Sequence, residues 1–176
     1  MAQLAAFNLK TWIDEHRHLL RPPVGNALVF KDTEFQIMIV GGPNRRNDYH
    51  VDPGEELFYQ LEGDIALWVI EGGKPREIPI RQGDMLLLPP NVPHSPRRPP
   101  NTVGMVVERQ RRPDETDRFQ WYCEACGAML HDVALRVTDL ATQFKPVLET
   151  FYADETLRTC RTCGAVMPPP APASGG

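Results

Sequence analysis

With 176 residues and a formal net charge of -4, the chain has room for one hydrophobic core and a small appendage. Its basic residues are scattered or sit in short groups such as Arg109-Gln110-Arg111-Arg112, so no broad cationic face of the kind that grips a phosphate backbone is encoded. No apolar run approaches the roughly 20 residues of a membrane-spanning helix, and the start of the chain has no cationic segment leading into an apolar one, so a soluble, cytoplasmic protein is expected.

Asn8 is placed to cap a helix over residues 8–20, in which Leu9, Trp12, Ile13, His16, Leu19 and Leu20 recur on one face. Arg21-Pro22-Pro23 ends it, because proline cannot continue the backbone bonding and restricts the residue before it. From Ala27 to Gln110 the period shortens, and strands are expected at 27–31, 34–40, 55–60, 64–70, 76–79, 85–88 and 103–109. Turn-forming groups such as Gly41-Gly42-Pro43, Asp52-Pro53-Gly54 and Gln82-Gly83-Asp84 separate them. This rhythm, in a chain with 18 Pro and 13 Gly, predicts an all-β antiparallel sandwich or barrel in place of βαβ units.

Pro113 to Arg118 is charged and reads as a linker. Beyond it come a strand-like alternation at Val133, Leu135 and Val137 and an amphipathic helix around 138–152, which Pro146 is expected to kink or divide. The ending from Pro168 has almost nothing to bury and is expected to be disordered. The organisation expected is thus a barrel with its N-terminal helix over 1–112, a C-terminal extension over 113–167, and a tail over 168–176.

All four cysteines lie in the extension, as Cys123-x-x-Cys126 and Cys160-x-x-Cys163. Paired spacings of this kind suit four thiolates around one metal ion, Fe or Zn, and a reducing compartment disfavours two structural disulfides. A redox dithiol needs only one pair. A nucleic-acid-binding finger needs interleaved basic residues, whereas the segment between the pairs carries Asp132, Asp139, Glu149, Asp154 and Glu155. A structural knuckle is therefore expected.

A second candidate centre lies in the barrel. His50 and Glu56 flank the Asp52-Pro53-Gly54 turn, and His94 follows a stiff Leu88-Pro-Pro-Asn-Val-Pro segment. Two imidazoles and a carboxylate on one side of an ion leave the other side open, the facial arrangement of non-haem Fe(II) sites. Glu55, of opposite strand parity, is expected to face solvent.

These segments resemble the paired motifs of the cupin superfamily. The first runs His50-Val-Asp52-Pro-Gly-Glu-Glu56 and closes at Gly63; the second runs Gly83 to Pro89 and ends at His94. The departure is Asp52, where the usual motif has a second histidine. More closely, the chain resembles the bacterial 3-hydroxyanthranilate 3,4-dioxygenase family over nearly its whole length. The resemblance is carried by Trp12-Ile-Asp-Glu-His16, Arg21-Pro-Pro-Val-Gly-Asn26, Gly41-Gly-Pro-Asn44, Asp48-Tyr-His50, Phe58-Tyr-Gln60, Leu87-Leu-Pro-Pro90, His94-Ser-Pro96 and Glu108-Arg-Gln110. That family also carries iron on two histidines and a glutamate, so Asp52 fits the narrower group.

The resemblance implies a jelly-roll cupin barrel with a small rubredoxin-like knuckle, and Fe(II) on His50, Glu56 and His94. It places Arg46, Arg98 and Glu108 against the substrate, with Val24 and Asn26 lining the pocket. Arg46 and Glu108 are the residues expected to take part in the chemistry, and Cys123, Cys126, Cys160 and Cys163 to hold a second Fe or a Zn. The spacing from Arg98 to Glu108 is one residue shorter than the family's, which bears on the loop at 99–104. The reaction implied opens the ring of 3-hydroxyanthranilate with dioxygen to 2-amino-3-carboxymuconate semialdehyde, the precursor of quinolinate, in a homodimer. Two other readings stand beside it: another cupin dioxygenase, acting on a related carboxylated aminophenol or catechol, where Arg46, Arg98 and Glu108 speak against an uncharged ring, and a non-catalytic metal-dependent small-molecule-binding cupin.

Overall fold

The structure, a computed structural model, describes residues 5–22, 25–44, 46–137 and 140–169. The first element is α1 (Leu9–His16), extended by a 3-10 turn over Arg17–Leu20. Asn8 caps it as expected, its side-chain oxygen accepting from the Thr11 amide at 3.0 Å, which satisfies one of the orphan donors of the first turn.

Eleven strands are described: β1 (Asn26–Leu28), β2 (Phe35–Gly41), β3 (Tyr49–Val51), β4 (Glu56–Glu62), β5 (Ile65–Glu71), β6 (Lys74–Ile80), β7 (Met85–Leu88), β8 (His94–Arg97), β9 (Val103–Arg109), β10 (Asp117–Tyr122) and β11 (Met129–Leu135). They form two antiparallel sheets, one ordered β1-β2-β9-β4-β7 and the other β11-β10-β3-β8-β5-β6. Between them Phe58, Ile65, Leu67, Val69, Ile80, Leu88 and Val106 make the interior core, each strand contributing every second residue. This is the antiparallel two-sheet β architecture expected from the turn rhythm of the sequence. The N-terminal helix lies on the outer face of the first sheet, where Ile13 and Leu20 pack on Ile39 and Val103.

Three strands, β3, β8 and β10, are absent from those expected, and the first two escape detection for one reason. Both are short, and their inward positions hold His50 and His94, so the apolar alternation that marks a half-buried strand is missing from them. The expected linker is shorter than its charge suggests: Asp117 and Arg118 already stand in β10, which pairs with β3 on one side and β11 on the other.

The C-terminal segment continues with α2 (Leu140–Ala153) and α3 (Glu155–Arg158). Pro146 does not divide α2. The helix gives up one backbone bond there, and Phe144, Val147, Leu148 and Phe151 hold it by packing on Phe119 and Trp121 of β10. Trp121 and Phe151 stack with ring centroids 4.2 Å apart, and both are fully buried. Burial of aromatics this size contributes roughly 2–3 kcal/mol each. Residues 170–176 of the expected tail lie outside the described residues.

Candidate active site

His50 is the middle residue of β3 and lies directly opposite His94 of β8 in the ladder, so both imidazoles leave the same face of one sheet. Their ring centroids are 5.3 Å apart. Glu56 opens β4 on the facing sheet, pointing inward, while Glu55 is exposed. The barrel thus brings together the three residues expected to form a centre, all buried.

The hydrogen bonding around these rings decides which nitrogens face the middle. The Nδ1 atom of His94 is 3.0 Å from the Val92 carbonyl, which can only accept, so Nδ1 carries the proton and Nε2 is bare. His50 Nε2 lies 2.6 Å from Asp117 Oδ2, and there too the acceptor draws the proton outward, leaving Nδ1 toward the centre. Glu56 Oε1 sits 3.1 Å from His94 Nε2 and 3.5 Å from His50 Nδ1, buried and without an aligned hydrogen bond. Two imidazole lone pairs and a carboxylate oxygen converging on one point fit a small cation. Burial alone would depress His50, yet the Asp117 and Glu56 carboxylates overcome this and push it up to about 9. Glu56 in turn is held well below the usual range: burial works against this, and the neighbouring His94 and His50 outweigh it.

A second carboxylate group, Asp52, Glu56 and Glu108, converges next door, but it already has a cation. Arg111 Nη2 lies 2.8 Å from Asp52, 3.4 Å from Glu108 and 2.7 Å from Asp117. Asp52, in the position where the broader cupin motif has a histidine, accepts from the Gly54 amide at 2.6 Å. It serves the turn and Arg111. Glu108 projects inward from β9; burial, reinforced by the charge of Glu56, pushes it up to about 7.

Arg98 follows β8 and is buried, with no carboxylate partner among the described residues: Nη1 reaches Gln60 Oε1 at 3.3 Å and Nε has no acceptor among them. Burial and the charge of Arg46 bring it down to about 10. A Cβ at Gly104 would stand 2.8 Å from Arg98 Nη1 and 2.7 Å from Gln60 Oε1, so the guanidinium occupies space that only glycine leaves open. The backbone of Arg98 is clamped by Asn44, whose Oδ1 accepts from the Arg98 amide at 2.9 Å and whose own amide donates to the Arg98 carbonyl at 3.0 Å. The segment 99–102 closes as a turn, with Thr102 Oγ1 donating to Pro99 O, and returns the chain to β9 with Glu108 facing inward.

Arg46 is paired with buried Asp48 and lies 4.8 Å above the Phe144 ring of α2. Burial would lower it, but Asp48 raises it on balance. Asn26 lies exposed on β1 opposite Val40, hence on the inward side of the sheet at its open edge. Val24 lies outside the described residues.

The four cysteines are also brought together, and none is disulfide-bonded. Cys123 and Cys163 sulfurs are 3.6 Å apart, Cys126 and Cys160 sulfurs 3.5 Å. A tetrahedron with bonds of about 2.3 Å has edges of roughly 3.8 Å, so the arrangement suits a four-thiolate ion. Each loop is shaped alike: the amides of Gly127 and Gly164 bond back to the first cysteine of their pair, and both glycines have φ of 76°, where a side chain would be strained.

Sequence reasoning did not single out Asp117, Arg111, Gln60 or Gly104. Asp117 lies 67 residues from His50, and only the pairing of β10 with β3 brings them together.

A model of the family described as 3-hydroxyanthranilic acid dioxygenase matches residues 1–152. A 3-hydroxyanthranilate 3,4-dioxygenase of Jannaschia sp. (strain CCS1) is 49% identical over 99% of this chain and 98% of its own. One of Xanthomonas euvesicatoria pv. vesicatoria is 51% identical over 93% of this chain and 92% of its own. Among solved structures, a cupin-2 domain containing protein from Shewanella frigidimarina covers 58% of this chain at 16% identity with a TM-score of 0.47.

Proposed function

Because the chain belongs to the 3-hydroxyanthranilic acid dioxygenase family, we propose that it opens the ring of 3-hydroxyanthranilate with dioxygen, giving 2-amino-3-carboxymuconate semialdehyde. His50, Glu56 and His94 would hold a ferrous ion. Such an ion would supply Lewis acidity to the ring hydroxyl and a path for electron density between ring and dioxygen. The observation that carries this reading is the convergence of two outward-protonated imidazoles and an unbonded Glu56 oxygen beside a buried, unpaired Arg98.

In this reading Arg98 takes the substrate carboxylate. A buried guanidinium with an idle Nε lacks an anion, and a carboxylate supplies one through two parallel charge-assisted bonds. Arg46, charged, held by Asp48 and stacked on the Phe144 ring, adds positive potential. Glu108, poised at about 7, is placed to accept a proton from the ring hydroxyl or amine.

Cys123, Cys126, Cys160 and Cys163 would hold a structural Fe or Zn that takes no part in turnover, since both atoms of dioxygen end in the product. We place the protein in the cytoplasm, in keeping with its free thiols, and no helix among the described residues is long and apolar enough to cross a membrane. A homodimer is supported by the outer face of the first sheet, where Phe35, Met85 and Leu87 are 60%, 63% and 55% exposed. The test is anaerobic loading with Fe(II), followed by oxygen and 3-hydroxyanthranilate. Absorbance of the ring-opened product with matching oxygen uptake is expected, and loaded, folded protein that consumes no oxygen refutes the assignment.

A further inference from the structure

Asp117 is fully buried, and its two oxygens are shared between two partners. Oδ2 takes His50 Nε2 at 2.6 Å and Arg111 Nη2 at 2.7 Å; Oδ1 takes Arg111 Nε at 2.8 Å. Arg111 is itself buried, and its guanidinium is fixed by Asp52 on the turn after β3 and by Glu108 on β9. Asp117 cannot rotate away from His50 without abandoning Arg111. Two strand positions further along β10, Phe119 stacks on the His50 ring with centroids 5.0 Å apart and planes at 12°. One strand of the C-terminal segment therefore sets the imidazole's plane through Phe119 and its proton through Asp117.

We propose that Asp117 is a positioning residue for the metal centre: its hydrogen bond holds the His50 proton on Nε2 and so presents a bare Nδ1 beside Glu56 and His94. The inference rests on the reading of His50, Glu56 and His94 as ligands, and goes beyond it by making the strand that follows the barrel part of the centre. An outer carboxylate on a ligating histidine fixes the ring and raises its basicity, and its loss costs metal affinity on the order of 10- to 100-fold. Asparagine cannot substitute. If its oxygen faces His50 its amide meets the Arg111 Nε donor, and if flipped its amide meets His50 and pulls the lone pair outward.

The test is anaerobic titration of full-length, metal-depleted protein with Co(II), following the weak ligand-field bands of a nitrogen- and oxygen-ligated ion, with thermal unfolding as a check of fold. Asp117→Asn is expected to weaken binding roughly 10- to 100-fold and alter those bands, and Asp117→Glu to recover most of the loss. Equal loss in both variants, or wild-type affinity in Asp117→Asn, overturns the proposal. Should Asp117→Asn not fold, nitrogen-15 NMR of the unmutated protein loaded with Zn(II) reads the tautomers directly: a proton on His50 Nε2 and on His94 Nδ1 is expected, and a proton on His50 Nδ1 overturns the proposal. If the unmutated protein binds no divalent ion in the barrel, the ligand assignment fails instead.

Discussion

Replacing Arg98 by methionine should make the protein more stable and nearly inactive. The guanidinium is buried with no carboxylate partner, and burial together with Arg46 lowers it from 12.5 to about 10. That difference corresponds to a cost of about 3 kcal/mol for keeping the charge in the fold. The sign is that of a depressed cation: the cost is fully present at all pH values below about 10, so it is constant across the neutral range. Methionine fills much of the same volume and sheds the charge, while losing the bond to Gln60, worth about 1 kcal/mol. The expected net gain is about 2 kcal/mol, read as a higher urea midpoint with unchanged slope in metal-depleted protein. The same substitution removes two charge-assisted bonds to a substrate carboxylate. At roughly 1.5–3 kcal/mol each, kcat/KM should fall between two and four orders of magnitude. A variant less stable than the parent would refute the argument that the charge is uncompensated, and kcat/KM within tenfold of the parent would refute the role given to Arg98.

Glu56→Ala should abolish metal in the barrel while the four-cysteine cluster stays filled, as counted by elemental analysis of the purified protein; loss of both ions together would show that the sites are not independent. In metal-depleted protein, burial and the neighbouring Glu56 raise Glu108 from 4.5 to about 7, so the folded state holds a proton that the unfolded state has given up. Stability should therefore fall as pH rises from about 4.5 to about 7, by at most about 3 kcal/mol, and Glu108→Gln should remove that part of the decline in denaturation midpoints. Gly104→Ala should displace the Arg98 guanidinium and raise KM for 3-hydroxyanthranilate more than it lowers kcat, since the added methyl meets Arg98 Nη1 at 2.8 Å; unchanged KM would show that the guanidinium is not held there by space. Cys160→Ser should lower the unfolding temperature of the α2 and α3 region, read by hydrogen exchange, without changing kcat of the loaded enzyme.

The sequence exposes whatever is marked by residue type at close spacing. His50 and Glu56 bracket a single turn, each Cys-x-x-Cys pair is one loop, and Asn8 announces a helix start. It hides β3 and β8, because placing histidines at inward positions removes the apolar alternation by which strands are recognised. It hides Asp117 and Arg111 for another reason. An aspartate and an arginine in a charged stretch look like solvated residues, and only the β10–β3 pairing turns them inward. Gln60 and Gly104 are likewise unremarkable until their strands are set side by side, with Gln60 opposite Gly104 in the β4–β9 ladder.

The pairing of β10 with β3 also orders events during synthesis. The residues through Arg109, with all three candidate ligand side chains, leave the ribosome before Asp117 and Phe119 do, and until then β3 has a neighbour on one edge only. A nascent chain halted before residue 117 would carry His50 with its Nε2 proton unheld and Arg111 without one of its anions. Closing this sequence-distant contact is thus a late step, and a metal ion offered to the emerging chain would meet a finished centre only once about two-thirds of the protein, through β10, has emerged.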